Sequence, residues 1–435
     1  MTKEKVRRSF SIVALMVIGL LALIAPWVGV PESVGAFNPA DIAWMLTASG
    51  LVLLMTPGLS FFYGGMVGRK SIISTMLQSF VALGVVSLLW FTVGFSLAFG
   101  DSLGGFIGDP RTFLMMKDVG LNSHERIGGG LPLLLFAAFQ LKFAVITPAL
   151  ITGAFAERVR FWAYLVFMIL FSIVIYAPLA HMTWHPDGLL FKLGILDFAG
   201  GTVVHISAGV AALAGAIFIG KRKNAENQGP PVNIPFVLLG TGLLWFGWFG
   251  FNAGSALAAD GVAVQAFMNT HLASAAAMMT WIFLDVAYRG KVSALGACIG
   301  AVVGLVAITP AAGFVGLGPS LTIGFVSALV SRLALYFKNR SSVDDTLDVF
   351  PCHGVGGISG MLLTAVFATE GGLITGSPTL FIAHSLALVG ILIFCFCASY
   401  TLFWITSLIT PLRVNADEEE QGLDLSQHAE SLSAN

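Results

Sequence analysis

Solid apolar runs of roughly 20 residues recur along almost the whole chain, each long enough to cross a hydrocarbon core as a helix. The alternation of polar and apolar positions that marks a membrane barrel strand is not the pattern here. After an N-terminal segment the runs number eleven, at approximately 43–66, 74–99, 131–153, 161–179, 197–219, 234–258, 264–287, 293–311, 316–337, 349–368 and 380–408. The pattern predicts an all-α polytopic membrane protein, one large helical bundle rather than the two or three soluble domains that length alone would suggest.

The N-terminal segment reads differently. Lys3, Lys5, Arg7 and Arg8 precede an apolar stretch from about Ile12 to Val30, and Val34 and Ala36 offer a small-residue cleavage site. Residues 1–36 are therefore expected to be a signal peptide or an uncleaved N-terminal span, and both place the start of the next segment outside. Assigning the later loops alternately to the two sides tests the span count. One side collects Arg69, Lys70, Arg158, Arg160, Lys221, Arg222, Lys223, Arg289, Lys291, Arg332, Lys338, Arg340 and Arg413, and the other only Arg111, Lys117, Arg126 and Lys192. Positive charge marks the cytoplasmic side, so the mature N-terminus is expected outside and the C-terminus inside. The chain divides into residues 1–36, a transmembrane domain 37–412 and a cytoplasmic tail 413–435.

Composition agrees with this class. Of 435 residues 57% are hydrophobic and 10% charged, against about 25% charged in ordinary soluble domains. A net charge of −1 leaves no basic footprint for nucleic acid. The cysteines Cys298, Cys352, Cys395 and Cys397 lie in apolar runs without metal-ligand spacing and read as small core residues. The 50 glycines suit close helix approach in lipid, with Gly300 and Gly304 as one small-xxx-small pair.

An ionisable residue at the bilayer centre costs about 2.5–3.5 kcal/mol or more, so those present are functional candidates. They are Lys142, Asp197, His205, His271, Asp285, Asp348, His353 and His384. Two segments resemble each other: Asp197-Phe-Ala-Gly-Gly-Thr-Val-Val-His205-Ile-Ser-Ala-Gly and Asp348-Val-Phe-Pro-Cys-His353-Gly-Val-Gly-Gly-Ile-Ser-Gly. Each has an acid at the start, a buried histidine and small residues beyond. Five spans separate them, so they enter from opposite faces, as expected of two inverted five-helix repeats followed by a long final helix, with a site between the halves. His271 and His384 lack equivalents and read as packing neighbours. His124, His181 and His185 fall in outer loops or span ends, and Asp285 beside Tyr288 and Arg289 reads as a local ion pair.

These segments, with Trp248-Phe-Gly-Phe251-Asn-Ala-Gly-Ser255, Gly153-Ala-Phe-Ala-Glu157-Arg158 and Pro57-Gly-Leu-Ser-Phe-Phe-Tyr-Gly-Gly65, closely resemble the ammonium transporter family (Amt/Mep/Rh) on its bacterial Amt branch. The resemblance implies a homotrimer with one pore through each eleven-helix subunit and no cofactor, enzyme activity or metal. It places an outer ammonium recruitment site at Trp184, Phe143 and Ser255, and a gate of stacked rings at Phe143 and Phe251. It makes His205 and His353 the paired histidines of the pore, with Asp197 a supporting acid below the recruitment site. Other readings on the same scaffold are an ammonium sensor with little flux and a channel for another small neutral molecule such as carbon dioxide.

The residue types suit that chemistry. Aromatic faces and a hydroxyl can replace water around a small cation, each ring contributing about 0.5–2 kcal/mol. Phenyl rings then exclude a hydrated ion, while ammonium can leave its proton behind and continue as ammonia. Two neutral imidazoles in contact can adopt complementary tautomers, bond ammonia and relay a proton. Asp197 is expected to combine an electrostatic role with capping the broken start of its helix, the cap being the larger share. Lys142 departs from the family pattern but points about 100° away from Phe143 around the helix. The tail resembles the family's regulatory tail in Gly422-Leu-Asp424 and in His428 and Glu430, with Ala429 where the family usually has glycine. Such tails lie on a face that docks a trimeric PII signalling protein in bacterial relatives, which makes PII an expected partner.

Overall fold

The computed structural model describes residues 3–24, 36–223 and 231–432, with side chains described for 11–23 and throughout the two later segments. The expected cleavage site at Val34 and the end of the first apolar stretch, 25–30, lie outside the described residues. A helix α1, Lys3–Ile24, occupies the rest of that stretch. Ten helices among the described residues are long and apolar enough to cross a membrane. They are α2 (Pro39–Met66), α3 (Arg69–Phe99), α4 (Leu133–Phe155), α5 (Phe161–Lys192), α6 (Gly201–Ile219), α7 (Ile234–Ala256), α8 (Gly261–Arg289), α10 (Leu317–Lys338), α11 (Phe350–Phe367) and α12 (Thr379–Ile409). Between α8 and α10 the eighth expected run holds the shorter apolar helix α9, Ala294–Ile308.

At 1.5 Å per residue α9 is about 22 Å long, short of a hydrocarbon core. It is buried almost throughout, and so are Thr309, Ala311, Ala312 and Val315 beyond it. Irregular backbone at membrane depth is tolerated where protein rather than lipid surrounds it. Hydropathy alone therefore overstates this helix. Several helix starts follow side-chain caps readable in the sequence: Asn38 on α2, Asn233 on α7, Asp260 on α8 and Ser293 on α9. The outer loops add a small antiparallel ribbon, β1 (Ser102–Leu103) with β2 (Ile107–Gly108), that the apolar pattern does not predict.

Glycines decide how closely these helices meet. A Cβ on Gly300 would fall 2.6 Å from Trp281 Cβ, and one on Gly304 would fall 2.5 Å from Ala273 O. The small-xxx-small pair thus seats α9 against α8 within the chain. A close backbone-to-backbone approach joins the two resembling segments. A Cβ on Gly209 would fall 2.1 Å from the backbone N of Gly354, and one on Gly357 would lie 2.9 Å from Ile206 Cγ1 and 3.3 Å from His205 Cβ. α6 and α11 therefore cross in backbone contact beside both histidines.

One end of the bundle is held by buried charge. Arg158 is fully buried, and its guanidinium donates to the carbonyls of Gly220, Ala154, Ala156 and Asp344 and to Thr346 Oγ1. Arg222 pairs bidentately with Asp344, at 2.8 and 2.9 Å, and reaches Glu157 at 2.7 Å. Burial pushes the Asp344 carboxyl up, but the Arg222 hydrogen bonds and the Arg158 charge outweigh it and hold it at about 2. The Gly153–Arg158 motif is thus a structural lock joining three loops.

The tail folds back over this lock as α13 (Ala416–Gln421) and α14 (Leu423–His428). Arg160 grips both carboxylate oxygens of Glu418, Asp424 Oδ1 accepts from Ser74 N at 2.8 Å, and His428 Nε2 meets Ser74 Oγ at 3.1 Å. Ala429 closes α14 in the left-handed region, at φ 57. A residue with a Cβ resists that region, at a cost of about 1–2 kcal/mol relative to glycine.

Three outcomes are expected. Gly209→Ala should cost about 1–3 kcal/mol and lower the thermal unfolding midpoint, because backbone must move to admit the methyl group. Gly242→Ala, inside α7 where a Cβ meets nothing within 4 Å, should not lower the midpoint. Ala429→Gly should favour the docked tail by about 1 kcal/mol and slow cleavage of the tail by a glutamate-specific protease; unchanged cleavage would count against the strain.

Candidate functional site

The crossing sets the site, and its two halves match in register. Asp197 accepts through Oδ1 from Gly200 N (2.8 Å) and Gly201 N (2.6 Å), and through Oδ2 from Thr202 N (2.7 Å) and Thr202 Oγ1. Asp345 accepts through Oδ1 from Val349 N (3.1 Å) and through Oδ2 from Phe350 N (2.7 Å). Both acids cap the backbone four and five positions on, where Gly201–Ile206 and Phe350–Gly354 wind as wide π-turns. His205 and His353 then follow eight positions after their acids, and Gly209 and Gly357 twelve positions after.

This corrects the sequence alignment. The counterpart of Asp197 is Asp345, whereas Asp348 pairs with Lys338 at 2.6 Å. Asp348 lies nearer to its histidine and misleads by proximity. Asp197 has both oxygens filled by local donors, so it serves α6 as a cap and can touch a cation only through its field.

Above the crossing, an open vestibule of about 260 Å³ is lined by residues that include Trp184, Phe143, Ser255, Gln140 and Arg126. Trp184 Nε1 donates to the carbonyl of Asp197 at 3.1 Å, which fixes the indole by its edge. Ser255 Oγ donates to Phe251 O at 2.8 Å, so its lone pairs remain available as acceptors. Gln140 was not singled out in the sequence. It is 8% exposed, lines the vestibule one turn from Phe143, and its Oε1 has no protein partner. A glutamine in an apolar run gives little signal by itself; its spacing of three from Phe143 was the available hint.

The floor of the vestibule is a pair of rings. Phe143 and Phe251 have centroids 4.2 Å apart, tilted by 31°, and both are buried. Phe143 belongs to the vestibule and Phe251 to the cavity beneath, so the pair separates the two spaces.

The lower cavity is about 10 Å³, close to the least that holds one water-sized molecule. Its walls are apolar apart from His205, His353 and Trp248, and Trp248 Nε1 is taken by Thr309 Oγ1 at 2.9 Å. The imidazole nitrogens are left as its polar groups. His205 Nδ1 and His353 Nδ1 lie 3.4 Å apart, His205 stacks on Trp248 at 5.3 Å, and His205 Nε2 has no protein partner. A contact between two Nδ1 atoms carries one proton, so the rings take opposite tautomers and one acceptor nitrogen remains for a guest.

The other candidates lie apart from this line. Lys142 is half-buried and is not among the residues lining the vestibule. His384 is bonded on both sides, accepting from Leu196 N and meeting Met361 O. His271 is exposed on α8 against Trp245. Asp285 is fully buried, and its main partner is Arg332 at 2.7 Å, with Arg289 at 4.0 Å. The expected pairing with Arg289 is thus the weaker one. His181 and His185, set aside as outer residues, are buried and stacked with centroids 4.5 Å apart.

Comparison with known proteins points one way. The family model described as Ammonium Transporter Family matches residues 43–432. A putative ammonium transporter of Methanothermobacter thermautotrophicus is 44% identical over 404 residues, covering 91% of this chain and 98% of that protein. An ammonium transporter of Bacillus subtilis is 44% identical over 398 residues, covering 90% and 97%. Among solved structures, Candida albicans Mep2 superposes with a TM-score of 0.82 at 34% identity, covering 88% of each chain. A structure described as a sensor Amt protein gives a TM-score of 0.82 at 30% identity, covering 89% and 98%.

The corrected acid makes a pH signature. Burial and the neighbouring Asp348 charge raise the Asp345 carboxyl to about 6 from 3.8. A raised carboxyl favours folding below its unfolded value, and that contribution is lost as pH rises through about 6. The thermal midpoint of the wild type should therefore carry a falling contribution between about pH 4 and pH 6. Asp345→Asn should lack that part of the slope, and parallel curves would contradict the assignment.

Proposed function

Because the chain belongs to the ammonium transporter family, we propose that it takes up ammonium across the cytoplasmic membrane by recruiting the cation outside, stripping its proton and passing ammonia between His205 and His353. The observation that carries this reading is the sequence of spaces: an aromatic vestibule, a closed ring pair, and a one-molecule cavity whose free polar groups are imidazole nitrogens. Trp184 and Phe143 offer π-faces to the cation, and Ser255 and Gln140 offer acceptor oxygens. Potassium gains the same faces but has no proton to give up, so it meets the Phe143–Phe251 pair with its charge intact. Ammonia is small and neutral, and one hydrogen bond to His205 Nε2 replaces part of the water it sheds.

Asp197 supports the site by holding the start of α6 and by adding negative potential below the vestibule. The mature N-terminus lies outside, and the lock and the folded tail face the cytoplasm, as the basic loops direct. The working unit is a homotrimer, and the tail surface over α3 is where a PII protein would dock, with Glu418 and Asp424 holding the surface in shape. A second reading, ammonium sensing with little flux, draws support from the likeness to the sensor Amt protein.

Purified protein in vesicles separates these readings. Methylammonium uptake should saturate and should persist in a large excess of potassium. His205→Ala should reduce it about ten-fold, the loss of one hydrogen bond of about 1.4 kcal/mol in a dry cavity. Asp197→Asn, which sets an amide against backbone donors, should reduce it further by disturbing α6. Undiminished selective uptake in both variants would overturn the mechanism, and tight binding with negligible wild-type uptake would favour the sensor.

A further inference from the structure

Arg126 is the one charged side chain among the residues that line the vestibule, and its sign is the same as that of the cation the vestibule would receive. It is half-exposed, and its guanidinium lies 2.6 Å from Asp187. Asp187 also pairs with Lys192 at 3.1 Å. Two cations thus share one carboxylate, and these three groups together keep an excess of one positive charge.

The acid is the fixed member of this cluster. Asp187 N donates to His185 Nδ1 at 3.0 Å, and His185 stacks on His181. His181 is anchored in turn at Ala98 O (3.0 Å) and Ser102 Oγ (2.8 Å). Asp187 is followed by a backbone tie from Leu189 N to Gly105 O at 2.9 Å. The buried histidine stack, which the pore does not use, therefore positions a carboxylate at the mouth of the vestibule. The two cations reach it on long, solvent-facing side chains.

We propose that Arg126, Asp187 and Lys192 form an electrostatic threshold at the vestibule, in which Arg126 raises and Asp187 lowers the ammonium concentration that half-saturates uptake. The proposal rests on the transport reading above and adds to it the residues that set apparent affinity. A unit charge near a partly hydrated site changes cation occupancy roughly two- to five-fold, and the effect is screened by salt.

The test is the half-saturation for methylammonium uptake into vesicles, measured at low and high sodium chloride. Arg126→Gln should lower it roughly two- to five-fold and Asp187→Asn should raise it by a similar factor. Arg126→Lys should stay near the wild type, and Lys192→Gln should shift it in the same direction as Arg126→Gln. These differences should collapse as the Debye length falls from about 30 Å to below about 8 Å. Shifts in the same direction for Arg126→Gln and Asp187→Asn, or differences that survive high salt, would overturn the threshold and make the cluster a loop tie. Absence of uptake by the wild type would instead overturn the transport reading, and the threshold with it.

Discussion

Everything in the core depends on one backbone contact, the crossing of α6 and α11 where Gly209 meets Gly354 and Gly357 meets Ile206. Helices normally keep 8–10 Å between axes because side chains stand between them. Removing the Cβ atoms here lets two helix starts interpenetrate, and only then can the imidazoles one turn away come within 3.4 Å. The wide π-turns serve the same end by turning His205 and His353 off the ordinary helical register. The acids at Asp197 and Asp345 close the backbone donors that such starts leave open. Acid, histidine and glycine at fixed spacing thus form one unit, used twice in opposite orientations.

The charged groups of the lock and of the vestibule flank the two ends of the pore line, and none of them lines the lower cavity. At one end Arg158, Arg222 and Asp344 lock three loops, and the tail closes over them through Arg160 and Glu418. At the other end Arg126 and Asp187 face each other at the vestibule. Between them the lower cavity holds no ionised partner for a guest, only imidazoles and apolar walls. On the transport reading proposed above, this arrangement offers a cation a place to wait but no ligand with which to cross, while a neutral molecule meets no such penalty.

Much of the fold was legible in the sequence, since a bilayer obliges each spanning segment to satisfy its own backbone and so to appear as a solid apolar run. The differences have separate physical causes. α9 is shorter than its apolar run because buried backbone is freed from that rule. Asp345 was passed over for Asp348 because Asp348 is the acid at the very start of the apolar run, whereas the capping acid stands eight positions before its histidine, in the loop ahead of the helix. His205, His353, Phe143, Phe251, Trp184 and Ser255 come from five different helices and line two adjoining spaces, the vestibule and the cavity beneath it. Gln140 is announced only by its spacing of three from Phe143, and the pairing of Arg126 with Asp187 is a product of tertiary placement.

The central claim is that His205 and His353 share one proton through their Nδ1 atoms and leave one acceptor nitrogen to the guest. Nitrogen-15 solid-state NMR of histidine-labelled protein in lipid, with His205→Ala and His353→Ala used to assign signals, reads this directly. The pair should show two neutral rings in opposite tautomers, one protonated at Nδ1 and the other at Nε2, with the bare Nε2 signal shifting when ammonium is added. Two rings both protonated at Nε2, or a charged imidazolium at neutral pH, would contradict it.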